Sequence, residues 1–393
     1  MIEWLGFFLS IAALLIISQK SLGAAMFVGA FILGVFMIPE RLLSTIISSM
    51  IDPSTLTLSV IVGLIPLIGG TLNETGQIDR LISNMRIGKK PFLILSPALI
   101  GLLPMPGGAL LSAPIVDKAG KGLSKEKKAA INVWFRHILY LIYPISANFM
   151  VSTAAAGLGL YQPIPHLTVT FLFSLCLGYL FFLRGDLGKM VYEKKFSLKN
   201  LLLPLTALLI APLLDILIRT FLLLPFKEIG TLIAVMASLL FSLIAGKVDL
   251  GRLRKIMDIA KPWNFAFMMM GIMVFLEVFK NSGILRLFEV VPMTPESLYL
   301  IGVALGFVTG RMITPAGIVF PIYLTKFGAV SPSTFALIYF GIFLGYVLTP
   351  VHPCVSLTSE SMEVEVKDYL KAIIPPVTIA LAIGLLVLHF ANF

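Results

Sequence analysis

Ten apolar runs, most of them near the length of a bilayer-crossing helix, dominate this 393-residue chain. A crossing helix takes about 17–25 apolar residues. The runs fall at about 3–18, 22–38, 56–72, 130–157, 166–183, 200–223, 228–245, 263–279, 333–357 and 370–391. Two further stretches, about 92–116 and 298–326, are apolar but broken in their middle by Pro and Gly. Only 13% of residues are charged and 58% are hydrophobic, too few charges to clothe a soluble fold of this size. The runs are continuous rather than alternating, which excludes a β-barrel. The pattern predicts an all-α polytopic membrane protein. The apolar N-terminus, with no basic start and no small-residue cleavage site, reads as the first span rather than a signal peptide.

The net charge of +10 belongs to topology and not to nucleic acid, because Lys and Arg collect in cytoplasmic loops. If both broken stretches enter and leave on one side, 22 of the 30 Lys and Arg lie on one face and five on the other. Arg136, Arg219 and Arg311 then remain in the membrane. This asymmetry predicts both termini outside, in the cytoplasmic (inner) membrane of a prokaryote. The basic loop at 118–130 is a topological anchor, and Trp4, Trp134 and Trp263 are expected at span ends as interface anchors.

The two halves resemble each other at an offset of about 207 residues. Gly23 falls over Gly230, LNETGQIDRL (72–81) over KNSGILRL (280–287), PMPGGALLSAP (104–114) over ITPAGIVFP (313–321), and YPISAN (143–148) over TPVHPC (349–354). Residues 1–190 form a first repeat, 191–199 a cytoplasmic linker and 200–393 a second repeat. Each half has five crossings and one re-entrant helical hairpin. An odd number of crossings inverts the second copy, which is the architecture of secondary transporters.

Irregular backbone in hydrocarbon survives only where protein, water or ligand satisfies its peptide groups. The breaks therefore mark the candidate site. Hairpin tips contribute Pro106, Gly107, Gly108, Arg311, Thr314, Pro315 and Gly317, and the unwound helices contribute Ser146, Asn148, Thr349 and His352. A lone kink is common in membrane helices; the symmetry-related set is what points to binding. Arg311 is suited to a carboxylate. Arg136 reads as a side chain that reaches back to the cytoplasmic surface. His137 and His352 are candidate proton carriers, with a satisfied packing histidine as the other reading of His137. Asp215 and Arg219, at i and i+4, read as a structural pair, and Glu277 and Lys280 as interfacial.

No Asp or Glu falls in either break, which favours an anionic substrate over cation exchange. Sodium can be held by neutral oxygens, and Asn73, Asn148, Thr314 and Ser356 are the candidates. Beyond Na⁺ no metal or cofactor is predicted: Cys176 and Cys354 lack ligand spacing, and there is no ATP-binding loop.

The LNETG and KNSG segments, the Pro/Gly tips and the inverted halves resemble the ion transporter superfamily and, within it, the DUF401 proteins. The resemblance covers essentially the whole chain. It implies an elevator mechanism, in which tips 104–108 and 311–317 with segments 143–148 and 349–354 move past a fixed, homodimeric scaffold. The chain departs from the Ser-Asn-Thr tips of the dicarboxylate/sodium branch, with MPGG and TPAG in their place. The leading expectation is a secondary active transporter of a small organic carboxylate, coupled to Na⁺ or H⁺. A Na⁺/H⁺ antiporter on the same fold is the alternative, and a membrane enzyme or non-transporting protein a third; no clustered catalytic set supports an enzyme.

Overall fold

The computed structural model describes residues 2–102, 108–190, 192, 195–284 and 293–390. Its regular elements are helices. In chain order they are α1 (Ile2–Ser18), α2 (Leu22–Met37), α3 (Leu42–Ile51), α4 (Pro53–Glu74), α5 (Gln77–Asn84), α6 (Lys89–Gly101), α7 (Gly108–Ala119), α8 (Lys125–Ile138), α9 (Ala147–Ala155) and α10 (Ile164–Phe182). They continue with α11 (Leu198–Phe221), α12 (Glu228–Gly246), α13 (Leu250–Ala260), α14 (Pro262–Asn281), α15 (Pro295–Thr309), α16 (Ile313–Phe327), α17 (Pro332–Leu348), α18 (Pro353–Met362) and α19 (Val366–Phe390). Seven segments are long and apolar enough to cross a membrane: α4, α10, α11, α12, α14, α17 with α18, and α19. The chain is a multi-pass membrane protein.

Both broken stretches fold as helix, break, helix. The arms of each pair, α6 with α7 and α15 with α16, pack on one another. The stretches read as single broken spans are likewise interrupted: α8 passes through a 3₁₀ turn (Leu139–Leu141) and an irregular segment before α9, and α17 stops before Thr349. Pro144 and Pro350, each lacking a backbone donor, lie in these gaps. Three short helices escaped the sequence reading. α3, α5 and α13 are too short to span and sit where loops were expected. Asp52 and Asp249 accept hydrogen bonds from the first-turn amides of α4 and α13, the usual N-terminal stop signal.

The order of elements occurs twice, and so do the packing partners. α1 packs on α2 as α11 does on α12; α2 on α14 as α12 on α4; α3 on α14 as α13 on α4; α7 on α18 as α16 on α9. Gly76 and Gly283, aligned in the sequence, share a left-handed φ of 65°.

The helices divide into two bodies, each drawn from both halves of the chain. α1–α5 and α11–α14 make one, α6–α10 and α15–α19 the other, and α14 against α9 and α16 supplies the main helix packing between them. Within the second body, α15 and α17 approach closely through Gly302, Gly306, Gly341 and Gly345. A Cβ on Gly306 would lie 2.6 Å from the Ile342 carbonyl oxygen, and one on Gly345 2.2 Å from that of Val303. Such small-residue faces let membrane helices approach to backbone contact.

Trp134 corrects an expectation. It is fully buried and donates its indole N–H to the Ser174 carbonyl at 3.0 Å, tying α8 to α10 instead of anchoring an interface. Asp215 behaves as read: buried, it accepts from Arg219 Nε at 2.9 Å, Thr231 Oγ1 at 3.1 Å and Tyr161 O–H at 2.7 Å. Removing one partner from a buried pair costs about 3–5 kcal/mol. Asp215→Ala is therefore expected to lower the thermal midpoint of the detergent-solubilised protein far more than Tyr161→Phe, whose lost hydrogen bond is worth about 1 kcal/mol. Equal effects would show that the pair does not hold this corner.

Candidate functional site

Buried polar atoms without a protein partner locate the site. Among the described residues they are Gln77 Oε1, Ser96 Oγ, Asn132 Oδ1, Arg136 Nε, Thr314 Oγ1, His352 Nδ1 and Ser359 Oγ. All but Gln77 lie on the hairpins or on the broken helices and their caps. Each such atom costs about 1–3 kcal/mol unless something completes it, and a cluster of them demands a physical reason.

Arg136 is the centre of the cluster. It does not reach back to the surface as the sequence suggested: its side chain, near the C-terminal end of α8, is 97% buried, with 3% of its surface exposed. One terminal nitrogen donates to the Gly108 carbonyl at 2.8 Å and to Ser112 Oγ at 3.1 Å. These partners hold the guanidinium against the first turns of α7. Among the described residues no carboxylate pairs with it. Gly101, at the end of α6, makes room for it: a Cβ there would overlap the Arg136 carbonyl oxygen. Tyr140 O–H donates to the Gly101 carbonyl at 2.9 Å, so α6, α7 and α8 meet around the cation.

The two candidate proton carriers also meet here, although 215 residues apart. His137 Nε2 lies 3.3 Å from His352 Nε2, and Tyr346 packs against both rings. The hydrogen-bond network assigns the tautomers. His137 Nδ1 lies 2.7 Å from the Val133 carbonyl oxygen, so Nδ1 carries the hydrogen and Nε2 accepts. His352 Nε2 must then donate, which leaves His352 Nδ1 bare and without a protein partner. A proton added at His352 Nδ1 preserves the pair; one added at His137 Nε2 sets N–H against N–H and breaks it. Cys354 completes a group in which ligand atoms of His137, His352 and Cys354 lie within 4.8 Å of one another. That group could not be read from spacing, and the neighbouring guanidinium opposes a cation there.

The second hairpin closes on the same region. Gly310, left-handed at φ 59°, brings the tip against the second break: a Cβ there would sit 3.2 Å from the His352 amide nitrogen. Thr314, fully buried, opens α16, and its hydroxyl has no partner. Ser146 caps α9 by accepting from the Phe149 amide, and Thr349 accepts from the Val351 amide. Thus α7, α9, α16 and α18 all begin at breaks and turn their positive ends toward them.

The other expected residues are placed less centrally. Pro106 and Gly107 lie outside the described residues. The carbonyl of Gly108 is an Arg136 partner. Pro315 is buried in the first turn of α16, and Gly317 packs against Met26 of the other body. Asn148 is half-buried in α9, and Ser356 is exposed. Asn73 lies apart, lining a small cleft with Ile256 and Ala260. Arg311 donates to the Gln19 carbonyl at 3.2 Å, capping the end of α1 rather than facing the cluster. At the far end of α18, a hydrogen bond from Lys125 holds the Glu363 carboxyl below its usual range; being exposed, this bridge contributes little.

The comparisons with known proteins agree with this frame. Residues 3–390 match the family described as "Protein of unknown function (DUF401)". The chain belongs to the DUF401 family. None of the curated proteins compared with it matches. The crystal structure of the Alcanivorax borkumensis YdaH transporter, described as having an unusual topology, has a similar fold. It shares 14% identity at a TM-score of 0.59 and covers 89% of this chain and 87% of that one.

Gly310 and Gly76 offer a controlled test of the tip contact. Both are left-handed, but nothing lies within 4 Å of a Cβ at Gly76. Alanine at either costs about 1 kcal/mol of backbone strain. Gly310→Ala is expected to lower the thermal midpoint by several degrees more than Gly76→Ala; matching shifts would mean that the tip does not bear on His352.

Proposed function

We propose that this DUF401 protein is a secondary active transporter that carries a small organic anion across the cytoplasmic membrane of a prokaryote, coupled to H⁺ or Na⁺. The observation that carries the reading is Arg136: a buried guanidinium with no carboxylate partner and an unused Nε, held where a hairpin meets a broken helix. A charge so placed calls for an anion. Its planar fork suits a carboxylate, and the N-terminal end of α7 lies against it and adds a positive pole.

The recurring element order supports two inverted repeats, residues 1–190 and 200–393. The two-body packing supports an elevator movement, with α1–α5 and α11–α14 as scaffold and the hairpins, broken helices, α10 and α19 as the moving body. Placement in the ion transporter superfamily, assembly as a homodimer and both termini outside accompany this reading. The likeness to a protein titled a transporter is consistent with it. His137 and His352 are the proton-carrier candidates, with His352 Nδ1 the open acceptor, and a bound anion would offset the Arg136 charge that otherwise opposes a proton there; Thr314 and Asn148 are the candidate oxygen ligands for Na⁺. A cluster built from one guanidinium and two imidazoles suits anion symport better than cation exchange.

Proteoliposome uptake over a panel of carboxylates, driven by an imposed H⁺ or Na⁺ gradient, tests the proposal. Arg136→Gln is expected to lower the apparent kcat/KM about 100-fold, in line with losing a buried charged hydrogen bond of about 3 kcal/mol. It should leave the thermal midpoint unchanged or raised, because an unpaired buried charge is removed. Uptake undiminished in Arg136→Gln would remove this residue from the substrate site. Separately, His352→Gln should flatten the profile of uptake rate against the size of an imposed H⁺ gradient. A profile unchanged from wild type would exclude the histidine pair from coupling.

A further inference from the structure

A cavity lies at the end of the first hairpin opposite the Arg136 cluster. Its volume is about 680 Å³, and it is lined by α5, the start of α6, the end of α7 and residues after α10. Five basic side chains line it, Arg86, Lys89, Lys118, Lys121 and Lys189, against a single acid, Asp79, among the described residues. Basic loops on a membrane protein are ordinarily solvated topological anchors. Here the cations face one concave space, where like charges raise each other's energy and an incoming anion lowers it.

Two of them are held in place. Lys89 Nζ donates to the Lys121 carbonyl at 2.9 Å and to the Leu187 carbonyl at 2.7 Å. The Arg86 guanidinium lies over the Tyr192 ring, 4.4 Å from its centroid. Lys118, Lys121 and Lys189 are exposed at the rim. Phe92, Ile115 and Met190 line the same space and give it an apolar wall that a freely soluble polyanion would not use. On the two helices of the hairpin, Leu95 and Leu110 are 41% and 47% exposed, as lipid-facing residues are. The charge asymmetry of the sequence assigns this end of the hairpin to the cytoplasmic side.

We infer that this cavity is a binding site for the phosphate headgroup of an anionic phospholipid, with the basic rim on the phosphate and the apolar wall along the glycerol and upper acyl chain. Basic pockets between membrane helices on the cytoplasmic side recognise headgroups in this way. The site is separate from the Arg136 cluster and does not depend on what that cluster carries. Because it closes over both arms of the hairpin base and the segment after α10, an occupied cavity ties these parts together.

Thermal unfolding of the full-length protein in detergent, with and without added lipid, tests the inference. Phosphatidylglycerol is expected to raise the midpoint by about 4 °C, since a ligand of the native state stabilises it. Phosphatidylcholine, with the same chains and no net charge, should give less than about a quarter of that shift. Lys121→Gln/Lys189→Gln should at least halve the response to phosphatidylglycerol, while Lys121→Arg/Lys189→Arg keeps it. Both positions are exposed, so neither pair of changes threatens folding. Equal shifts with the two lipids, or an unaltered response in the Gln variant, would overturn the inference. So would a larger shift with inorganic pyrophosphate than with phosphatidylglycerol, because it would make the site one for soluble phosphates.

Discussion

A peptide group or charged side chain inside a bilayer has no water to fall back on, and the architecture follows from that constraint. A break in a membrane helix exposes backbone that a continuous helix would have satisfied. The fold answers by crowding the breaks together. Ser146 and Thr349 accept nearby amides, the Gly108 carbonyl takes a hydrogen from Arg136, and the Gly101 carbonyl takes one from Tyr140. What protein leaves open includes Arg136 Nε, Thr314 Oγ1 and His352 Nδ1, each on a hairpin arm, a broken helix or its cap.

The division into two bodies gives this site its setting. Neither body is a half of the sequence. Each takes corresponding elements from both halves, so the pairing of α7 with α18 is answered by that of α16 with α9. This exchange explains how His137 and His352, far apart in the chain, come to share a hydrogen bond. It also explains why the interior of the second body is so tightly packed: every residue of α17 from Thr334 to Val347 is buried within the protein, although its composition would suit a lipid-facing span equally well.

Much of the fold was legible in the residues. Apolar run length located most of the crossings, and Pro and Gly located all four interruptions, because those residues act on the backbone directly and leave a local mark. Asp215 with Arg219 was legible for the same reason, being neighbours on one helix face. What escaped depends on contacts at a distance. Arg136 looked like a surface-seeking side chain because it follows a basic loop, and nothing local shows that α6 and α7 close over it. Arg311 looked central because it sits at a hairpin tip, yet the tip leads it to the carbonyl of Gln19. Trp134 resembles an interface anchor until Ser174 of another helix supplies its acceptor. The short helices α3, α5 and α13 were missed because their length is below that of a span.

The Tyr161 hydroxyl joins the two bodies. It lies in the connection between α9 and α10 and is bonded to Asp215, itself fixed by Arg219 and Thr231 on the other body. Away from water, hydrogen bonds in a connected chain strengthen one another. The approach to α10 is thereby joined to α11 and α12 through polar groups in a region otherwise held by apolar packing.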